Sequence, residues 1–304
     1  MLKICVQSAP WYREDAPEES IRFIRECGFE GIDYNMDLHL RPEAIQKGDM
    51  TGFFSQTTEE ILKYYEPLRA ALQKYDVELA QMHAPFPMFM EGMEEFNDFF
   101  ITVIDKCCAV CEYLGCTKLV VHPKNIPLDC MKEKEINLQC YGKMIPSAKK
   151  HGVTICLENL FISHKGKFTE GVCTSASEFC WYVDTLNAKA GEKVFACCLD
   201  VGHARLTKTN IYRFINELEE RLEILHIHEN TSVLDSHMIP FTQEPTEGVD
   251  WEDFIKGLRE IDYKGTISFE TFRGLKAFPK EMHRDVLQLI SAVGRYFRKC
   301  ITES

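Results

Sequence analysis

No apolar run in this 304-residue chain is long enough to cross a bilayer. The opening residues, MLKICVQSAP, lack the longer apolar core and small-residue cleavage site of a secretory signal. A cytoplasmic protein is expected. No Pro/Gly/Ser-rich linker and no low-complexity tract divides the chain, which favours a single domain over residues 1–304. No Gly-x-Gly-x-x-Gly turn follows any β-like run, which weakens the case for an open, doubly wound sheet. No long Lys/Arg run is present, and the formal charge of -12 opposes extended contact with phosphate backbones. Membrane and nucleic acid are therefore not expected partners.

Cysteine, by contrast, is plentiful, at fourteen residues. Many lie inside apolar runs, among them Cys5, Cys107, Cys156, Cys197 and Cys198. With no export signal, free buried thiols are the better reading than a disulfide framework. Cys108 and Cys111 form a C-x-x-C pair with Cys116 nearby, and the spacing suits one apolar face of a helix.

One unit recurs eight times: a short β-rich run, a polar loop, then a stretch with helical period. The runs fall at 3–8, 29–34, 77–83, 117–122, 153–158, 194–200, 222–228 and 265–270. They are continuously apolar rather than alternating, as expected of parallel strands covered on both faces. Helix signals lie between them. Gly28 ends the first helix, and Thr57 to Glu60 and Ser175 to Glu178 have capping-box spacing. Pro67 kinks or restarts the helix read over 61–76, and Asp250 caps the one opening at Trp251. The pattern gives an α/β fold, a (β/α)8 TIM barrel, with the longer loops on the face that carries active sites.

The strand ends carry chemistry. They read MHAPF with His83, LVVHP with His122, ICLEN with Glu158, LDVGHA with Asp200 and His203, ILHIHEN with His226 and His228, and ISFET with Glu270. Asp235-Ser-His237 follows in a loop. A single strand-end His or carboxylate is commonly a cap or a hydrogen-bonded structural group. So many at one end of a barrel point instead to a shared divalent cation. Lys124, Arg205 and Arg273 follow strand ends and could meet a phosphate or carboxylate. Trp11, Phe86, Phe161 and Trp251 could form a stacking wall for a sugar.

These motifs, with GFEGID, GVDW and YKGTISFET, resemble the xylose-isomerase-like TIM barrels over nearly the whole chain. That superfamily joins sugar and sugar-phosphate isomerases and epimerases to endonuclease-IV-type AP endonucleases. The isomerase branch implies one metal held by Glu158, Asp200, His226 and Glu270, with His203 on the substrate. His226 fits the family spacing ahead of Glu229, and His228 is the alternative for the strand-seven ligand. The endonuclease branch implies a trinuclear zinc centre that adds His83, His122, His203, Asp235 and His237. The family's Pro-Gly-x-Gly after the loop His is here Pro240 to Gly248 without that pattern, so the substrate loop differs.

The expected activity is a metal-dependent isomerase or epimerase acting on a sugar, sugar phosphate or related polyol or keto acid through an enediolate. Glu158 and Glu270 are the expected acid/base pair, with His203 as third catalytic residue. His237 joins Trp11, Phe86, Lys124, Arg205 and Arg273 in contacting the substrate. Manganese or zinc is the expected ion, with cobalt, iron and magnesium as alternatives. The expected partner is a small carbohydrate-like molecule, alongside self-association into a homo-oligomer. The rival activity is metal-assisted phosphodiester hydrolysis of the AP endonuclease type. A non-catalytic binding barrel is a third class.

Overall fold

A computed structural model describes residues 2–231, 233–244 and 246–303. Twelve strands occur among them, and eight form the barrel: β1 (Ile4–Gln7), β2 (Gly31–Asn35), β3 (Glu78–His83), β4 (Lys118–Val120), β5 (Thr154–Glu158), β8 (Phe195–Asp200), β9 (Leu222–His226) and β12 (Ile267–Phe269). They pair in parallel in the order β12-β1-β2-β3-β4-β5-β8-β9. The ring closes through one bridged pair, Ile227 with Phe269. Two backbone bonds hold that joint, Ile227 N to Ser268 O at 2.9 Å and Glu270 N to Ile227 O at 3.0 Å. The chain thus forms the expected TIM barrel.

Helices cover the outside, and the buried apolar residues between them and the strands make one continuous cluster. Inward and outward residues alternate along a barrel strand. That alternation explains a second, smaller cluster of Val120, Cys156, Ala196, Cys198 and Ile224, which fills the interior. The same period places His122, Glu158, Asp200 and His226 one inward step higher. Small side chains below therefore support polar ones at the mouth.

The local signals act mostly as expected. Thr57 and Glu60 form a reciprocal capping box. Pro67 opens a new helix, Glu66–Tyr75, after Thr58–Tyr64. Asp250 accepts from Asp253 N to start Trp251–Glu260. Cys108 and Cys111 are buried on helix Glu94–Leu114 as packing residues. Ser175 departs from expectation. Its hydroxyl meets Ser177 Oγ at 2.8 Å, while Glu178 reaches back to Cys173 N at 3.1 Å. Half of the box is thus made two residues too early.

Two antiparallel hairpins escape the strand-helix count. β6 (Phe161–His164) pairs with β7 (Lys167–Glu170) after β5, and β10 (Glu229–Thr231) pairs with β11 (Leu234–Met238) after β9. Both rise from the mouth of the barrel. No helix among the described residues is long and apolar enough to cross a membrane.

Candidate metal centre and active site

Asp200 ends β8 and also caps the short helix Val201–Leu206, accepting from His203 N at 2.6 Å. One residue therefore fixes both the strand-end carboxylate and the imidazole three positions on. Asn159, next to Glu158, ties this turn to β5. It accepts from Asp200 N at 2.8 Å and donates to Asp200 O at 2.9 Å, while its carbonyl meets His203 Nδ1 at 2.9 Å. His203 accordingly donates from Nδ1 and turns Nε2 toward the cavity, 4.0 Å from Asp235 Oδ2.

The two histidines of strand seven face different partners. His228 Nε2 lies 3.0 Å from both Asp200 oxygens. His226 sits deeper, with Nδ1 at 3.1 Å from Glu158 Oε2 and 3.6 Å from Glu270 Oε2, and Nε2 at 3.2 Å from Asp33 Oδ2. It is His228 that meets Asp200. Gly202 makes this approach possible. A Cβ at that position would stand 2.5 Å from His228 Nδ1 and 2.7 Å from Asn230 Nδ2.

Glu158 is the hub. Its Oε2 lies 3.1 Å from His122 Nε2 and 3.7 Å from His83 Nε2, and those two imidazoles are 2.9 Å apart. Its Oε1 lies 3.2 Å from His203 Nδ1. Further round the mouth, His237 Nε2 meets Asp235 Oδ2 at 3.0 Å, and its ring stacks on His228 at 4.0 Å. Groups with metal-binding proximity include His83–His122–Glu158, Glu158–Asp200–His203, His203–Asp235–His237 and His228–His237–Glu270. The structure thus brings every strand-end candidate to one place.

Burial penalises each of these charges, yet they support one another. Desolvation pushes Glu158 up, but His122 and His226 outweigh it and hold the carboxyl well below its usual range. Asp200 is lowered against burial by His203 and His228. Burial also opposes ionisation of Asp235, and the His237 hydrogen bond and His203 reverse that. His203 would be lowered by burial, but Asp200 and Glu158 raise it to about 10. His122 stays lowered, because burial wins there.

The centre opens into a cavity of ≈ 780 Å³. Phe86, Phe161, His237 and Arg273 line it. Four expected substrate contacts belong elsewhere. Trp11 is buried and donates to Gln7 O at 2.7 Å. Lys124 does not line the cavity, and its backbone is held by Asn137. Arg205 donates to the Glu247 carbonyl at 2.9 Å, and Trp251 to Glu229 Oε2 at 2.8 Å. The side chains of Trp11, Arg205 and Trp251 thus secure loops.

Sequence reasoning missed several contributors. Gln7 ends β1 and donates to Glu270 Oε1 at 2.6 Å. Asp33 is buried under His226 and accepts from Gln81 at 2.9 Å. Both are polar residues in apolar strands, which was the available signal. Tyr12, Arg41, Phe272 and Lys276 also line the cavity, and only the fold brings them there.

Residues 21–292 match the family described as xylose isomerase-like TIM barrel. Solved structures of similar fold include a D-tagatose 3-epimerase-like protein, at 19% identity and TM-score 0.66, covering 97% of this chain and 99% of that one. Another is the 3-keto-D-glucoside 4-epimerase of E. coli, at 15% identity and TM-score 0.69, covering 96% and 100%. A third is an IolI protein with a bound zinc atom, at 15% identity and TM-score 0.66, covering 99% and 98%. An uncharacterised curated protein, y4fM of Sinorhizobium fredii, is 30% identical over 74 residues, 24% of this chain and 22% of that protein's length.

Proposed function

Because this chain belongs to the xylose isomerase-like TIM barrel family, we propose that it is a metal-dependent isomerase or epimerase of a small carbohydrate or a related polyol or keto acid. The observation that carries this reading is that Glu158 and Glu270, from well-separated strands, both line the cavity and converge on one imidazole, His226, buried beneath it. Inverting a carbon beside a carbonyl takes a base on one face of the substrate and an acid on the other. The epimerases among the similar folds support the same choice.

The residues fit a divalent ion. His228 Nδ1 and both nitrogens of His226 are buried without a hydrogen bond of proper geometry, beside three carboxylates. Glu158, Asp200, His228 and Glu270 would hold the ion, a donor set suited to manganese or zinc, with cobalt, iron and magnesium in the same class. When bound, it supplies Lewis-acid stabilisation to charge on adjacent substrate oxygens.

The chain's own groups do the rest. One of Glu158 and Glu270 takes the proton α to the carbonyl, and the other returns one. The resulting enediolate relaxes to the isomer or epimer. His203, locked by Asn159, presents Nε2 to a substrate hydroxyl. Phe86 and Phe161 exclude water beside the imidazoles they pack against, at ring distances of 4.5 Å to His122 and 4.9 Å to His203. A cytoplasmic site of action and a homo-oligomeric assembly complete the reading.

The test is solvent exchange. Ketoses, ketose phosphates and inositol-like polyols are incubated with metal-loaded protein in deuterated water. Uptake of deuterium at a C–H position supports the mechanism. Conversion without uptake would point instead to a hydride shift or to a proton transfer shielded from solvent.

One observation favours a second reading, hydrolysis of a phosphodiester at a multi-zinc centre. His83 and His122 close on Glu158 from one side, while His203, Asp235 and His237 gather on the other. Metal content separates the two. Three ions per chain with cleavage of an abasic duplex would favour hydrolysis, and one ion with C–H exchange favours isomerisation.

A further inference from the structure

Two cations at the edge of the cavity have no anion to balance them. Helix Phe272–Lys276 starts just after Glu270 and carries Arg273 and Lys276 three positions apart, on one side. Both line the cavity. Among the described residues neither makes an ion pair or a side-chain hydrogen bond. Each lies instead near the Phe272 ring, Arg273 Cζ at 5.9 Å and Lys276 Nζ at 5.6 Å from its centroid.

Other charges of the same rim are matched. Arg41 pairs with Asp37 at 3.0 Å. Glu14 accepts from the hydroxyls of Tyr34 and Tyr64 at 2.7 and 2.6 Å. Of the three Lys and Arg residues that line the cavity, only Arg41 has a carboxylate partner among the described residues; Arg273 and Lys276 are exposed at its edge without one. They are also tied to the reaction centre. The Phe272 ring packs on His237 at 4.4 Å, and His237 Nδ1 donates to the Glu270 carbonyl at 3.0 Å.

We propose that the substrate carries an anionic end group, a carboxylate or a phosphate, and that Arg273 and Lys276 hold it. This deepens the isomerase and epimerase reading of the same cavity and rests on it. A guanidinium offers parallel donors that match either anion, and the ammonium adds a compact charge. A neutral sugar would leave both cations unanswered. The cavity, at ≈ 780 Å³, has room for a short polyol chain together with such a group.

Binding can be measured without knowing the reaction. The metal-loaded protein is titrated calorimetrically with glycerol 3-phosphate, glycerate and glycerol. At least one anion should bind at least ~10-fold more tightly than glycerol, the scale of one charge-assisted hydrogen bond. The double variant Arg273→Gln, Lys276→Gln should lose that preference with metal content and melting temperature unchanged. Arg273→Lys and Lys276→Arg should keep most of it. Preference for glycerate identifies a carboxylate, and preference for glycerol 3-phosphate a phosphate. The proposal is overturned if wild type binds neither anion better than glycerol, or if the double variant binds them equally well. Deuterium exchange judges the isomerase reading separately, so failure of one is not mistaken for failure of the other.

Discussion

Two imidazoles two residues apart, His226 ending β9 and His228 just beyond it, have different work. His226 is wedged between Asp33 below and Glu158 and Glu270 above, so it neutralises buried carboxylates. His228 faces Asp200 and offers its other nitrogen no partner. His228→Ala should empty the metal site while leaving a folded barrel. His226→Ala should retain metal but lose about 3–5 kcal/mol of stability, the scale of removing one member of a buried ion pair. Metal analysis and denaturant titration of both variants check this, and the reverse pattern would return the ligand role to His226. Glu158→Gln and Glu270→Gln should each lower turnover at least ~100-fold. Full activity in either, with metal retained, would remove it from the acid/base pair. The sequence marked all of these positions, because a His or carboxylate ending an apolar strand stands out. It could not rank His226 against His228. Both face inward, and only their depth in the barrel separates them.

At the scale of elements, Glu229 organises the loop that replaces the family's glycine-rich turn. It is buried, and its carboxylate accepts from Val249 N at 2.7 Å, Trp251 Nε1 at 2.8 Å and Phe241 N at 3.3 Å. Burial nevertheless keeps its pKa raised. Asn230 does the same for the hairpin, receiving Ser236 N at 2.6 Å and His237 N at 3.2 Å. Glu229→Ala strands those donors, so thermal unfolding should show a loss of about 2–4 kcal/mol. It should also weaken substrate binding through His237, visible as a rise in KM, and an unchanged melting temperature would contradict this anchoring role. The eight strands were legible because each is a compact apolar run. The two hairpins were not, because β6, β7 and β11 are short runs that mix polar and apolar residues, with β7 mostly exposed, and such runs read as loops. Trp11 and Arg205 were misplaced for the same reason: loop direction is decided by hydrogen bonds that no spacing reveals.

At the scale of the molecule, the buried charges predict how the metal-free protein responds to pH. His203 has a folded value of about 10 against an ordinary 6.5. Its stabilisation is complete below 6.5 and is lost as pH rises through 10. Glu158 and Asp200 are lowered, so their contribution is present above the ordinary carboxylate range and fades as acid protonates them. Metal-stripped protein should therefore melt progressively earlier from pH 6.5 to pH 10, by more than ~5 °C. A flat profile across that window, followed calorimetrically, would contradict the proton balance. The barrel itself was readable from repetition and strand-end chemistry. The cavity wall was less so, since Arg41, Phe272 and Lys276 come together only when the ring closes.

That closure is uneven. β12 and β1 share three registered pairs and β8 and β9 share four, whereas β9 meets β12 through one bridge. The seam is the barrel's shortest joint, one bridge and two backbone bonds, with His228 beyond one lip and Glu270 beyond the other. A joint that short gives more readily than a full ladder to suit ions of different radius. Affinities for manganese, cobalt and zinc should therefore lie closer together than a rigid cage would allow. Amide exchange at Ile227 and Glu270 should slow on loading with any of the three, because the ion clasps the two lips together.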